Sequence, residues 1–138
     1  VQADRLAMGG LLLRYNQENY LRLTWNTHAP GEVNFLGCLQ NRDLLLGRGA
    51  VSDAKQIYLR LERQGTQVRS LYSADGTRWY SVGTVDFPVS DPVAVGVVAI
   101  GFVPRYVYPG AHSEGTAVRF SALHLAHGCA GDSASDNR

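Results

Sequence analysis

The chain has 138 residues, 45% of them hydrophobic and 18% charged, a length that suits one domain burying roughly two-thirds of its unfolded surface. Its 13 basic and 12 acidic residues leave a formal charge of +1, which offers no long-range field for nucleic acid. Apolar runs such as 93–100 are too short to cross a membrane as a helix. The density of Val, Leu and Tyr excludes disorder over most of the length. No leader segment opens the sequence, although a mature secreted chain would have lost one.

Fifteen glycines and five prolines punctuate the chain as short strands joined by turns require. The basic residues are arginines apart from Lys55. Genome base composition is the simpler source of that bias; the other is that Arg suits bidentate contacts to carboxylates or sulfates.

Taken in order, nearly every segment reads as strand. Leu11–Tyr15 and Tyr20–Trp25 flank Asn16-Gln17-Glu18-Asn19, a hairpin connection. With Gln17 and Glu18 as the loop, Tyr15 faces Tyr20 and Leu13 faces Arg22. Leu12, Leu21, Leu23 and Trp25 then share the core side. Glu32–Leu39 is the next strand, after a turn at Ala29-Pro30-Gly31. Residues 40–55 read as a loop holding a short strand at Leu44-Leu45-Leu46, between Asn41-Arg42-Asp43 and Gly47-Arg48-Gly49.

The clearest pattern runs from Ile57 to Tyr72. Ile57, Leu59 and Leu61 alternate with Tyr58, Arg60 and Glu62, the period of a half-buried strand. Gln64-Gly65 supplies a two-residue turn, and Val68, Ser70 and Tyr72 return on the core face. Ser73-Ala74-Asp75-Gly76 turns the chain again, with Asp suited to an Asx-type bond and Gly to positive φ. Trp79–Val85 is the following strand. Val93–Gly101 is apolar on both faces, which predicts a central strand covered above and below. A loop rich in Pro, Gly and Tyr spans Phe102–Gly115, the last strand is Ala117–Leu125, and the polar tail 128–138 is expected to be disordered. No helical period is long enough to assign. The chain is predicted to be an all-β sandwich over residues 1–127.

The order of motifs carries a resemblance. Gly9-Gly10-Leu11-Leu12-Leu13-Arg14-Tyr15 followed by Glu18-Asn19-Tyr20-Leu21 resembles the opening of the regulation-of-enolase type of concanavalin A-like domain, a domain of unknown function. Leu59-Arg60-Leu61-Glu62-Arg63-Gln64-Gly65, Tyr72-Ser73-Ala74-Asp75-Gly76-Thr77-Arg78-Trp79, Val95-Gly96-Val97-Val98-Ala99 and Val118-Arg119-Phe120 are similar to later motifs of that domain. The same set recurs in accessory sandwich domains of glycoside hydrolases. The resemblance covers about residues 9–125 and implies a jelly-roll-like sandwich of two antiparallel sheets. Relatives of this kind begin several dozen residues earlier, which implies strands supplied by another polypeptide segment or a processed chain. The stretch from Gln40 to Asp53 departs from the family pattern.

Catalysis needs a carboxylate pair about 5–9.5 Å apart in a glycosidase. Glu18, Glu32, Glu62 and Glu114 are scattered, and Asp43, Asp53, Asp75, Asp86 and Asp91 all fall in predicted turns, so no catalytic constellation is found. Gly47-Arg48-Gly49 lacks the following helix of a phosphate loop. The Ser73–Trp79 segment also resembles the Asp-box of sialidases with one residue fewer between Asp and Trp, and is assigned to turn stabilisation, with Trp79 packing beneath. His124, His127 and Cys129, with Cys38 at a distance, have zinc-ligand chemistry. The alternation of a strand sets the two histidines on opposite faces, and no metal is assigned. Asn41 and Asp43 offer too few oxygens for calcium, and no cofactor is expected.

Binding is better supported. Pairing around Gln64-Gly65 sets Arg60 opposite Arg69 on the outward face beside Tyr58, a like-charge pair that needs neutralising. Glu62 on the diagonal is one answer; an anionic sugar, an acidic partner or the missing strands are others. Tyr15, Tyr20 and Arg22 form a similar outward group. The 102–115 loop offers Arg105, Tyr106 and Tyr108, either as a binding loop or as a cover over a sheet edge. Cys38 and Cys129 are a possible disulfide; the compartment stays open, with an extracellular setting favoured. The expected function is a non-catalytic recognition module with a glycan as the leading ligand. The alternatives are a structural domain that docks another domain or chain, and, third, a glycan-active enzyme.

Overall fold

In a computed structural model, the structure describes residues 1–3, 7–26, 31–50, 54–88, 92, 94–101 and 117–127. These residues are all-β. Ten strands follow in order: β1 (Gln2–Ala3), β2 (Ala7–Arg14), β3 (Tyr20–Trp25), β4 (Glu32–Leu39), β5 (Arg42–Ala50), β6 (Tyr58–Gln64), β7 (Gln67–Ser73), β8 (Tyr80–Asp86), β9 (Ala94–Gly101) and β10 (Val118–Arg119). A five-stranded sheet has the order β5-β4-β3-β2-β9 and a three-stranded sheet the order β6-β7-β8, with β1 and β10 forming a short pair. Every pairing is antiparallel.

The core lies between the two larger sheets. Leu13, Leu21, Leu23, Trp25, Val33 and Phe35 come from the five-stranded sheet; Val68 and Val82 face them, with Ile57, Phe87 and Tyr15 at the margins. Strand alternation produces this directly, since residues two apart share a face. Along one margin the two sheets close tightly. An added Cβ on Gly47 of β5 would lie 1.9 Å from the Val82 carbonyl oxygen of β8, and one on Gly49 would lie 2.6 Å from the Tyr72 ring.

The first hairpin is offset from expectation. Leu13 pairs with Leu21, Leu12 with Arg22 and Arg14 with Tyr20, because the connection is longer than two residues. Tyr15 and Asn16 both donate backbone N–H to the Asn19 carbonyl, at 3.0 and 3.1 Å. This one-residue slip moves Leu13 to the core side in place of Leu12, as period-two geometry requires. Tyr15, two residues on from Leu13, goes inward with it and packs on Phe87 with ring centroids 4.9 Å apart.

Residues 42–50 form a full strand, not a loop with a short strand. A tight turn delivers it: Gln40 and Asn41 have φ of 51° and 63°, the left-handed pair of a two-residue hairpin. Asn19 braces that turn by accepting from the Gln40 N–H at 3.0 Å. Asp43 and Asp86, expected in turns, lie within β5 and β8.

Two further corrections concern the later strands. β9 pairs with β2 and occupies the end of the five-stranded sheet among the described residues, where a central position was expected. Its register sets Val95 and Val97 beside Leu13 and Leu11 on the core side, yet they are 44% and 42% exposed. The three-stranded sheet does not reach far enough to cover them. The last strand is confined to Val118–Arg119, and residues 120–127 carry no strand.

Candidate functional site

The central hairpin turns at Gly65-Thr66, with Gly65 at φ 60°, and not at Gln64-Gly65. Glu62 is therefore directly opposite Arg69, while Arg60 pairs with Leu71. The expected Arg60–Arg69 juxtaposition does not exist. Glu62 lies between the two cations: its Oε1 is 2.9 Å from Arg60 Nε, and its Oε2 accepts from Arg69 Nε and Nη2 at 3.1 and 2.5 Å. The neutralising group is thus internal. All three side chains remain partly exposed, so this arrangement contributes orientation more than stability.

Arg60 is also held from its other side. Its guanidinium carbon lies 5.6 Å from the Trp79 ring centroid, within cation–π range. Tyr58, on the same outward face two residues before Arg60, stays 43% exposed. An added Cβ on Gly76 would sit 3.3 Å from that ring, so the Tyr58 ring packs on the turn backbone, at a position whose φ of 81° favours glycine.

The turn that carries Gly76 and Trp79 is rigidly tied. Asp75 Oδ1 accepts from the Thr77 and Arg78 backbone N–H at 2.8 and 2.9 Å, and Ser73 Oγ accepts from the Gly76 N–H at 2.8 Å. These N–H donors, Arg78 first and then Thr77, hold the Asp75 carboxyl well below the usual carboxylate range. Ser73 is fully buried. The stabilising role expected of the Ser73–Trp79 segment is what this geometry provides.

The remaining expected site residues are dispersed. Tyr20 and Arg22 are half-buried on the outward face of the five-stranded sheet, so they belong to the opposite side of the sandwich from Tyr58, Arg60 and Arg69. Tyr15 belongs to neither, being a core residue. Arg105, Tyr106 and Tyr108, the 102–115 loop, Glu114, Cys129 and the 128–138 tail lie outside the described residues. Cys38 is a buried free thiol. His124 and His127 are exposed, and among the described residues no group of three or more His, Cys, Asp or Glu is placed to hold a metal ion. No helix among them is long and apolar enough to cross a membrane.

Sequence reasoning placed two participants imperfectly and gave no sign of a buried polar residue on the other sheet. Trp79 was read as structural and Glu62 as a diagonal neighbour, because both depend on a register that one turn residue decides. Asn34, fully buried on the outward side of β4, carried no recognisable signal. Its Nδ2 donates to Glu32 at 3.2 Å, and Glu32 lies 3.6 Å from Arg48.

Two facing antiparallel sheets with this strand order define a concanavalin A-like sandwich. Residues 2–117 match the family described as the beta-xylosidase C-terminal concanavalin A-like domain, and the chain belongs to that family. It is a family of accessory C-terminal domains of glycoside hydrolases, the second of the two resemblances in the sequence; the narrower regulation-of-enolase resemblance receives no support from the match. No curated protein and no solved structure matches the chain.

Proposed function

We propose that this chain is a non-catalytic accessory module that binds β-xylan chains on the outward face of β6-β7-β8. The observation that carries the reading is the prepositioned pair of Tyr58 and Arg60. The Tyr58 ring rests on Gly76, and Arg60 is held between Glu62 and Trp79. A half-exposed aromatic beside a fixed guanidinium suits a sugar, with the ring stacking on C–H groups and the donors meeting hydroxyls. Groups already ordered lose little entropy on binding. The family's association with beta-xylosidases supplies the ligand class.

The acidic residues near this face have other employment, which supports a non-catalytic role. Glu62 is tied into two ion pairs, and Asp75 is consumed by the turn. Neither is free to act as a general acid. Affinity electrophoresis in gels containing xylan tests the proposal, with Tyr58→Ala as the variant. Retardation of the parent chain should fall about 5-fold in Kd terms, one aromatic contact being worth roughly 1 kcal/mol; equal retardation refutes the assignment of the face.

A second reading is favoured by β9. Val95, Val97 and Ile100 are exposed large apolar residues on one sheet-end strand. An apolar edge of this kind is normally covered, and a neighbouring domain of a longer polypeptide is the occupant this reading requires. The two readings use different faces and are compatible.

A further inference from the structure

One short turn stands behind both residues of the proposed platform. Residues 74–79 connect β7 to β8, whereas Tyr58 and Arg60 belong to β6, which β7 separates from β8. At Gly76 the turn backbone lies against the Tyr58 ring, and Trp79, the last residue of the turn, lies against the Arg60 guanidinium. Two outward side chains of one strand are thus backed by a single segment that reaches across from the far side of the next strand. Tyr58 needs that backing. A half-exposed tyrosine has more than one staggered rotamer open to it, and only a fixed surface beside the ring holds it in one.

What fixes the turn is one carboxylate and one hydroxyl. Asp75 Oδ1 accepts from the backbone N–H groups of Thr77 and Arg78 and from the Ser73 hydroxyl, the last at 3.1 Å. Ser73 Oγ accepts in return from the N–H groups of Asp75 and Gly76, at 3.3 and 2.8 Å. Ser73 is the direct cross-strand partner of Tyr58 and is fully buried although it shares the outward face. Its bond to the Gly76 N–H holds that residue against the ring, and Arg78, tied by Asp75, immediately precedes Trp79. Gly76 has a φ of 81°, one of several backbone states open to a glycine, so an untied turn would not keep it there. The Asp75 carboxylate bonds within the Ser73–Arg78 segment, and its influence on the platform passes through Gly76 and Trp79.

We infer that Asp75 is a positioning residue for glycan binding: it touches no ligand, and it sets the affinity of the Tyr58–Arg60 platform by holding Gly76 and Trp79 in place. The inference rests on the glycan-binding reading above and adds the residue that governs that site. Stability and affinity separate here. A loosened turn leaves the two sheets packed, yet it returns to Tyr58 a freedom that must be lost again when a sugar binds.

The test is isothermal titration of the full chain and its variants with a xylo-oligosaccharide, at a temperature well below the Tm of each. Asp75→Ala should bind about fivefold more weakly than the parent, the size expected from ordering one side chain on association. Asp75→Asn keeps an oxygen acceptor for the two N–H groups, in a weaker neutral form, and should recover affinity to within about twofold of the parent. Ser73→Ala frees the Gly76 N–H and leaves the carboxylate in place; it should weaken binding in the same direction, and it carries the test if Asp75→Ala does not fold. In a Tyr58→Ala background Asp75→Ala should lose most of its effect, because the ring it positions is gone, whereas a generally loosened protein would lose as much affinity in both backgrounds. Parent-level affinity in Asp75→Ala, or in Ser73→Ala where that is the folded variant, overturns the positioning role and leaves the platform standing. An undiminished effect in the Tyr58→Ala background, or Asp75→Asn as weak as Asp75→Ala, also overturns it. Absence of binding by the parent refutes the glycan reading and this inference with it.

Discussion

Gly47→Ala is the sharpest probe of how the two sheets close. The added methyl would sit 1.9 Å from the Val82 carbonyl oxygen and 2.7 Å from its carbon. A carbon needs more than 3 Å from such an oxygen, so β5 and β8 would have to part by about 1 Å along a margin packed as densely as an organic crystal. Both obstructing atoms are backbone, which leaves no side chain to swing aside. Overpacking of this kind costs typically 1–3 kcal/mol, and the short distance puts the expected loss near the upper end, about 3 kcal/mol. With an unfolding entropy near 2.1 cal/mol/K per residue over 138 residues, that loss lowers Tm by about 10 °C. The control is Gly96→Ala on β9, where an added Cβ meets nothing within 4 Å; it should leave stability unchanged or raise it by a few tenths of a kcal/mol through the unfolded chain. Calorimetry or chemical denaturation of the two variants reads the difference. Equal Tm values would show that β5 and β8 do not meet as described.

Other expectations follow from the same geometry. Asp75 has a carboxyl pKa depressed by its N–H donors, so its stabilisation is complete above the unfolded value of about 4 and is lost as pH falls toward the folded value. The parent chain should lose stability through that acid range more steeply than Asp75→Asn, measured as Tm against pH from 7 to 2; parallel curves would refute the role. Glu62→Gln should cost under about 1 kcal/mol, since its partners are substantially solvated, and the loss should shrink in 1 M NaCl. Val97→Lys should leave Tm within about 2 °C while lowering self-association in light scattering, because the residue is 42% exposed on the strand that ends the sheet among the described residues. A large drop in Tm would mean that the residue is buried.

Strand content and strand existence were legible because alternation is a local signal. Glu32–Leu39 stands where it was read, and the Tyr58–Tyr72 hairpin is correct in its strands. Register was not legible, because one turn residue decides it. A single-position shift at Gly65 replaced an apparent Arg60–Arg69 clash with the Glu62 pairing, and the longer loop after Tyr15 carried a presumed surface tyrosine into the core. β5 escaped notice because Gly47 and Gly49 read as strand breakers. They are glycine for a tertiary reason: Val82 and Tyr72 press against them. β9 was misplaced for the converse reason, since apolarity on both faces does not distinguish a central strand from an end strand with exposed valines. Asn34 Oδ1 and Arg22 Nε, buried with no partner among the described residues, are invisible in sequence, as unmade contacts have no pattern.

The proposed function places xylan chains on the Tyr58–Arg60 platform. Isothermal titration of the chain and its Tyr58→Ala variant with a xylo-oligosaccharide measures it most directly. Saturable binding by the parent and about 5-fold weaker binding by the variant are expected, both measured well below the variant's Tm, which loses the packing of the ring on Gly76. No heat of binding in the parent, or identical affinity in both, would contradict it.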